Sequence, residues 1–180
     1  KLSAFVDIFE KWNRRINLTA LNLDAIPPPE TLDRLFIEPL IASELIPTAA
    51  IDLVDLGSGA GSPALPLKIL RPQVRLTMVE TRGRKAAFLR EAVRTLQLED
   101  ADVEQMRFQS LSPSMVSEFD VVVVRALRID AELVSSVAEL LNPGGRFITF
   151  GLDQAPPGFI PTERRRLPDQ SETVSWVLES

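Results

Sequence analysis

Three glycines at alternate positions, Gly57, Gly59 and Gly61, follow directly on the run Ile51-Asp52-Leu53-Val54-Asp55-Leu56 and constrain this chain more than any other feature. A strand that runs into backbone without Cβ atoms lets the main chain approach a ligand closely, because glycine enters the left-handed region without penalty. Ser62 is placed to cap a following helix, and Pro63 stands where a first-turn proline loses no hydrogen bond. Strand, glycine loop and helix therefore come in the order that nucleotide-type sites require. Asp55 is expected to order the loop through backbone hydrogen bonds rather than to touch a ligand.

The rest of the chain repeats that alternation. Strands are predicted at residues 51–56, 74–80, 102–108, 119–124, 146–150 and 173–178, and helices near 63–70, 83–96 and 129–141. Val121-Val122-Val123-Val124 reads as a strand buried on both faces. The pattern is that of an α/β fold with a doubly wound, mostly parallel sheet. Upstream, Leu2, Phe5, Phe9, Trp12 and Ile16 form a helical stripe, and a second helix is predicted from Glu30 to about Ile46, with Pro39 as a kink or boundary. Trp12 is assigned to the core. Asn142-Pro143-Gly144-Gly145 is a turn signal, and the proline-rich stretch 155–168 reads as a long loop. With 180 residues the chain suits one domain, in which residues 1–46 form a helical layer on an α/β core of residues 51–180. It opens with Lys1 inside a helical pattern, so part of a natural N-terminus is expected to be missing.

Composition narrows the chemistry. The sequence holds no cysteine and no histidine, which excludes a thiol nucleophile, a histidine-based triad and the usual zinc centres. No metal is expected. No apolar run reaches the length of a membrane span and no signal-like start is present, so a cytoplasmic monomer without membrane contact is expected. With G-x-G-x-G in place of the dinucleotide fingerprint G-x-G-x-x-G, the loop resembles that of class I methyltransferases, which use S-adenosylmethionine (SAM). Glu80 ends the next predicted strand roughly 20 residues further on, where a carboxylate takes ribose hydroxyls.

From Trp12 to about Gly151 the chain is similar to the glucose-inhibited division protein B family, methyltransferases acting on guanine N7 of small-subunit ribosomal RNA. The similar pieces are Trp12-Asn13-Arg14-Arg15-Ile16-Asn17-Leu18-Thr19-Ala20, the glycine loop with Pro63-Ala64-Leu65-Pro66-Leu67, Arg84-Lys85 with Phe88-Leu89, Phe119-Asp120 through Arg125-Ala126, and Asn142-Pro143-Gly144-Gly145-Arg146. The resemblance implies a class I, Rossmann-like fold with SAM as cofactor, and 16S ribosomal RNA or the small subunit as partner. It implies catalytic roles for Asn17 and Arg125, and a cofactor site made of Asp55, Gly57, Ser58, Gly59, Gly61, Ser62, Glu80, Ser110, Leu111 and Arg125. Four places differ from the family pattern. Ser62 replaces an aromatic residue, Leu35 follows Arg34 where histidine is usual, Gln109-Ser110-Leu111 stands for Arg-Ala-Glu, and Phe150 stands for a lysine.

Charge bears on the partner. Acidic residues outnumber basic ones by 25 to 20, against the balance of a protein held by phosphate contacts, although basic clusters occur at Arg14-Arg15, from Arg82 to Arg94 and at Arg164-Arg165-Arg166. The middle cluster is the one expected to track RNA. Two rival readings share the fold: a SAM-binding or RNA-binding module without turnover, and a methyltransferase with another acceptor. A nicotinamide oxidoreductase would need a third glycine one place later.

Overall fold

The computed structural model describes residues 1–19, 28–49, 51–111, 115–152 and 154–179. Ala20, the last residue of the Trp12–Ala20 piece, lies outside them. Seven strands form one sheet: β1 (Asp52–Leu56), β2 (Arg75–Val79), β3 (Ala101–Glu104), β4 (Phe119–Val124), β5 (Leu141–Phe150), β6 (Phe159–Arg166) and β7 (Glu172–Leu178), in the order β3-β2-β1-β4-β5-β7-β6. The first five are parallel, and β7 joins β5 and β6 antiparallel. The strand order reverses between β1 and β4. In open α/β sheets such a reversal leaves a crevice at the carboxyl ends of the strands, where ligands bind.

Each central strand feeds both faces. Leu53, Val121 and Val123 join a core with α1 (Leu2–Ile16), α4 (Ala64–Leu70) and α5 (Gly83–Leu96), whereas Val54, Leu56, Val122 and Val124 pack under α6 (Ala131–Leu140). The N-terminal stripe forms the helix read from it. Phe9 and Trp12 meet Phe88 of α5 edge to face at 5.9 Å, so α1 is a side layer on the sheet's first face. Trp12 is half-buried against that core, as its place on the stripe implies.

The second helix is less regular than its periodicity suggests. It runs as α2 (Pro29–Leu32), a π-helical turn (Asp33–Ile37) and α3 (Glu38–Ser43). In the π turn the Glu38 N–H reaches back to Asp33 O, so Arg34 O loses its helical donor. Pro39 has no N–H to offer Leu35 O. Two adjacent carbonyls are thereby released from the helix, and π turns often mark functional places for this reason.

Three expectations need correction. Residues 155–168 are not one long loop, because β6 occupies Phe159–Arg166. Its prolines hide it: Pro161 sits beside a register irregularity on an edge strand, where a missing N–H costs no ladder bond. Residues 142–145 do not end a helix before the next strand begins but form an irregular bulge within β5, between Leu141 opposite Phe119 and Arg146 opposite Val121. Ser62 is not an N-cap. Pro63 takes that position without a side-chain cap, and the Ser62 hydroxyl donates to Arg34 O at 3.1 Å and Leu35 O at 3.5 Å. It meets the two carbonyls released by the π turn and Pro39.

Candidate active site

A cleft of about 980 Å³ opens at the carboxyl ends of the parallel strands. Its floor is the glycine loop. Gly57, Gly59 and Gly61 all have positive φ, at 76°, 54° and 81°. They face different surroundings. A Cβ on Gly61 would stand 2.5 Å from Leu65 Cδ1, so this glycine exists for the packing of α4; one on Gly59 would meet nothing nearer than Gly57 O at 3.6 Å and would point into the cleft.

Glu80, buried just past β2, holds the loop in place. One carboxylate oxygen accepts from Gly59 N–H at 2.8 Å, and the other from Arg82 N–H at 2.7 Å at the start of α5. Each carboxylate oxygen has two acceptor positions, so Glu80 keeps capacity for ligand hydroxyls while it orders the loop. Lys85 also faces this part of the cleft, its Nζ 3.9 Å from the position a Gly59 Cβ would take. It is thus a cleft residue.

Asp55, at the end of β1, is fully buried, and its Oδ2 has no hydrogen-bond partner among the described residues. Its main-chain carbonyl accepts from the Ser58 hydroxyl at 2.9 Å. Burial pushes its carboxyl up to about 6, against the opposing pull of Ser58 and the Arg125 charge. A raised folded pKa favours the fold at low pH: the contribution is complete below the ordinary Asp range and is lost as pH rises through about 6. Asp55→Asn is therefore expected to stabilise the ligand-free protein at about pH 8 by roughly 2–3 kcal/mol, with the advantage vanishing by about pH 4. Denaturant titrations of both proteins across that range check this. An advantage independent of pH would rule it out.

Arg125 follows β4 and bridges three elements. It donates to Arg34 O at 2.8 Å, to Ser62 O at 2.7 Å and to the Glu38 carboxylate at 3.2 Å, and its guanidinium lies 5.8 Å from the centre of the Phe150 ring. Three of its five donor hydrogens are thereby used, and a largely buried, planar guanidinium held on three sides has little freedom to aim the other two. Burial raises the Glu38 carboxyl, with the Arg125 and Arg34 charges opposing it. The pair spans the cleft wall and ties the helical layer to the sheet.

The structure brings together Gly57, Ser58, Gly59, Ser62, Glu80 and Arg125 around this cleft. Gly61 and Asp55 stand behind it as support. Asn17 does not reach it: exposed at φ 53°, it ends α1 with its N–H on Asn13 O, while Leu18 and Thr19 after it line the wall. Ser110 and Leu111 also fall outside the lining, because β3 stops at Glu104 and the chain enters the cleft earlier, at Met106, Arg107, Phe108 and Gln109. Arg107, two residues before Gln109, is the basic side chain of this segment that lines the cleft. Leu35 belongs to the core, and Phe150 lines the cleft under Arg125. Sequence reasoning missed Glu38 and Leu127. Pro39 was the one sequence signal near Glu38, whereas Leu127, 3.0 Å from the position a Gly57 Cβ would take, had none.

The family model for GidB, rRNA small subunit methyltransferase G, matches residues 1–154. The chain belongs to the rRNA small subunit methyltransferase G family. It is 37% identical over 148 residues to the ribosomal RNA small subunit methyltransferase G of Xanthomonas oryzae pv. oryzae and 38% identical over 150 residues to that of Syntrophotalea carbinolica. Both alignments cover 82% of this chain and 66% of the relative, so the chain spans just under two thirds of the length of these curated relatives. Among solved structures, a SAM dependent methyltransferase from Aquifex aeolicus superposes with a TM-score of 0.63 at 14% identity, covering 84% of this chain and 94% of that one. The fold of this rRNA small subunit methyltransferase G family member is accordingly that of class I SAM-dependent methyltransferases. Its matched stretch holds the glycine loop, Glu80 and Arg125, and stops before the β6–β7 hairpin.

Proposed function

We propose that this protein transfers a methyl group from SAM to N7 of a guanine in small-subunit ribosomal RNA. The observation that carries the proposal is the loop around Gly59, bare toward the cleft and bonded to Glu80, at the β1/β4 switch point of a chain in this family. The residues suit the cofactor. Gly59 leaves the space that a side chain would fill, Glu80 retains acceptor capacity for ribose hydroxyls, and Met106 and Phe108 offer apolar surface for an adenine. When bound, SAM supplies an electrophilic methyl on a sulfonium.

The protein's part is positioning. Guanine N7 carries an unprotonated lone pair, so no side chain has to remove a proton, and a site without histidine or cysteine is sufficient. The N7–methyl bond forms as the sulfur–methyl bond breaks, with its electron pair returning to sulfur. Holding donor and acceptor in line supplies much of the acceleration. Arg125 keeps the wall between the two halves of the cleft in place through Ser62, Arg34 and Glu38.

A transfer assay with methyl-tritiated SAM tests the proposal on small ribosomal subunits, on their naked RNA and on bulk protein. Label is expected in RNA as 7-methylguanine, and label confined to protein or small molecules would reject the acceptor. The cofactor site has its own test. Glu80→Gln, which turns an NH2 toward one of the two backbone donors, is expected to weaken S-adenosylhomocysteine binding by about 1–3 kcal/mol in calorimetry. An unchanged affinity would remove Glu80 from the site.

A further inference from the structure

Glu80 can offer ribose hydroxyls acceptors but no donor. Each hydroxyl is a donor and an acceptor at once, so a carboxylate satisfies its hydrogen while its lone pairs still call for an N–H or O–H. The donors closest to Glu80 are already committed to it. The Gly59 and Arg82 N–H groups both point at its carboxylate, and the Thr81 hydroxyl donates to the same group at 3.4 Å.

Lys85, half-buried in the first turn of α5, stands across the space from that carboxylate. Its Nζ lies 3.9 Å, and Glu80 Oε2 4.0 Å, from the position a Gly59 Cβ would take, so an ammonium and a carboxylate both border the room that Gly59 leaves bare. They do not close on each other. Among the described residues the Lys85 ammonium has neither an ion pair nor a hydrogen bond. Cations that serve the fold here are paired, as Arg75 is with Asp52, Arg94 with Glu91 and Arg146 with Glu163. Nothing in α5 compensates Lys85: its first turn holds no acidic residue, and the partial positive charge of a helix start disfavours a lysine. The fold gives no account of this ammonium, whereas a ligand over Gly59 would.

Resting on the SAM-binding half of the reading above, we propose that Lys85 is a cofactor-binding residue that grips the ribose, its Nζ donating to the lone pairs of the 2′- and 3′-hydroxyls while Glu80 accepts their hydrogens. An ammonium has three donor hydrogens, enough for both hydroxyls. A diol held from two sides cannot roll about its contact with Glu80, so the ribose is fixed in orientation as well as in place. The amino-acid carboxylate of SAM also attracts a lysine, but at this point it would lie beside the Glu80 carboxylate and be repelled.

The test is calorimetry on wild type and Lys85→Met with two ligands, S-adenosylhomocysteine and 5′-methylthioadenosine, which keeps the adenine and ribose and lacks the amino-acid part. Methionine preserves most of the stem and removes the charge. The variant is expected to bind both ligands about tenfold more weakly, by the same factor for each. Its Tm is expected to be unchanged or slightly higher, because a cation has left the positive end of α5. A loss seen with S-adenosylhomocysteine alone would move Lys85 to the amino-acid carboxylate and overturn the ribose assignment. Unchanged affinity for both ligands would also overturn it, with SAM binding by the protein left standing. A loss accompanied by a clear fall in Tm would mark a structural role and overturn it as well. If the wild type binds neither ligand, the underlying reading fails and this inference fails with it.

Discussion

Gly59→Val is expected to abolish cofactor binding at little cost in stability, and Gly61→Val to destabilise the fold markedly while leaving the cleft untouched. Both glycines are left-handed, at φ 54° and 81°, so each valine carries a backbone cost of about 1–2 kcal/mol. The difference lies in what surrounds them. At Gly59 the added Cβ meets only Gly57 O at 3.6 Å, Lys85 Nζ at 3.9 Å and Glu80 Oε2 at 4.0 Å, and the two methyls occupy ligand space. At Gly61 it stands 2.5 Å from Leu65 Cδ1 and 3.1 Å from Leu89 Cδ2, in the packed seam between α4 and α5, where overpacking adds roughly 1–3 kcal/mol. A chain of this size loses about 2–4 °C in Tm per kcal/mol. Thermal unfolding should therefore fall by only a few degrees for Gly59→Val and by about 10 °C for Gly61→Val. Calorimetry with S-adenosylhomocysteine should show more than a hundredfold loss for the first. A Gly59→Val protein that binds normally would dismiss the loop as the cofactor cradle.

Arg125→Met is expected to cost about 3–5 kcal/mol of stability, because it leaves the Glu38 carboxylate buried without its main counter-charge. Arg34, only 4.0 Å from Glu38 but largely exposed, offers partial relief and points to the lower end of that range. The Ser62 carbonyl also loses its Arg125 donor, and the Arg34 carbonyl keeps only the Ser62 hydroxyl. The pH dependence carries the diagnosis. Glu38 is already raised by burial, and removing Arg125 raises it further, so the variant should regain stability as pH falls through the raised Glu38 pKa toward its ordinary value. The double variant Arg125→Met with Glu38→Gln should recover much of the loss at neutral pH. Equal losses for the single and double variants, flat with pH, would show that the ion pair is not what holds the wall.

Much of this was legible in the residues, for reasons that are local. Periodicity of 3.6 placed α1 and α5, apolar runs placed β1 and β4, and the spacing from Gly57 to Glu80 put a loop and a carboxylate at one sheet edge. Prediction lapsed where neighbours decided the outcome. β6 is stabilised by pairing with β7, so its prolines made it look like a loop. Ser62 has the chemistry of a helix cap, yet its hydroxyl goes to carbonyls 28 and 27 residues earlier because a π turn and a proline had released them. Arg164 and Arg165 look like a basic track, but they are paired with Glu172, Glu163 and Glu44.

The sequence by itself determined the α/β alternation, the bare backbone at Gly59 and the acidic group beside it, since these follow from side-chain size, φ and spacing along the chain. Only the tertiary structure decided that Asn17 caps a helix outside the cleft, that Arg125 is held by Glu38 and two carbonyls, and that Asp169 arrives at the same opening from the far edge of the sheet. Those contacts join residues up to 91 positions apart (Arg34 and Arg125), and no local preference encodes them, because the partners meet only once a sheet with its reversal at β1 and β4 has formed.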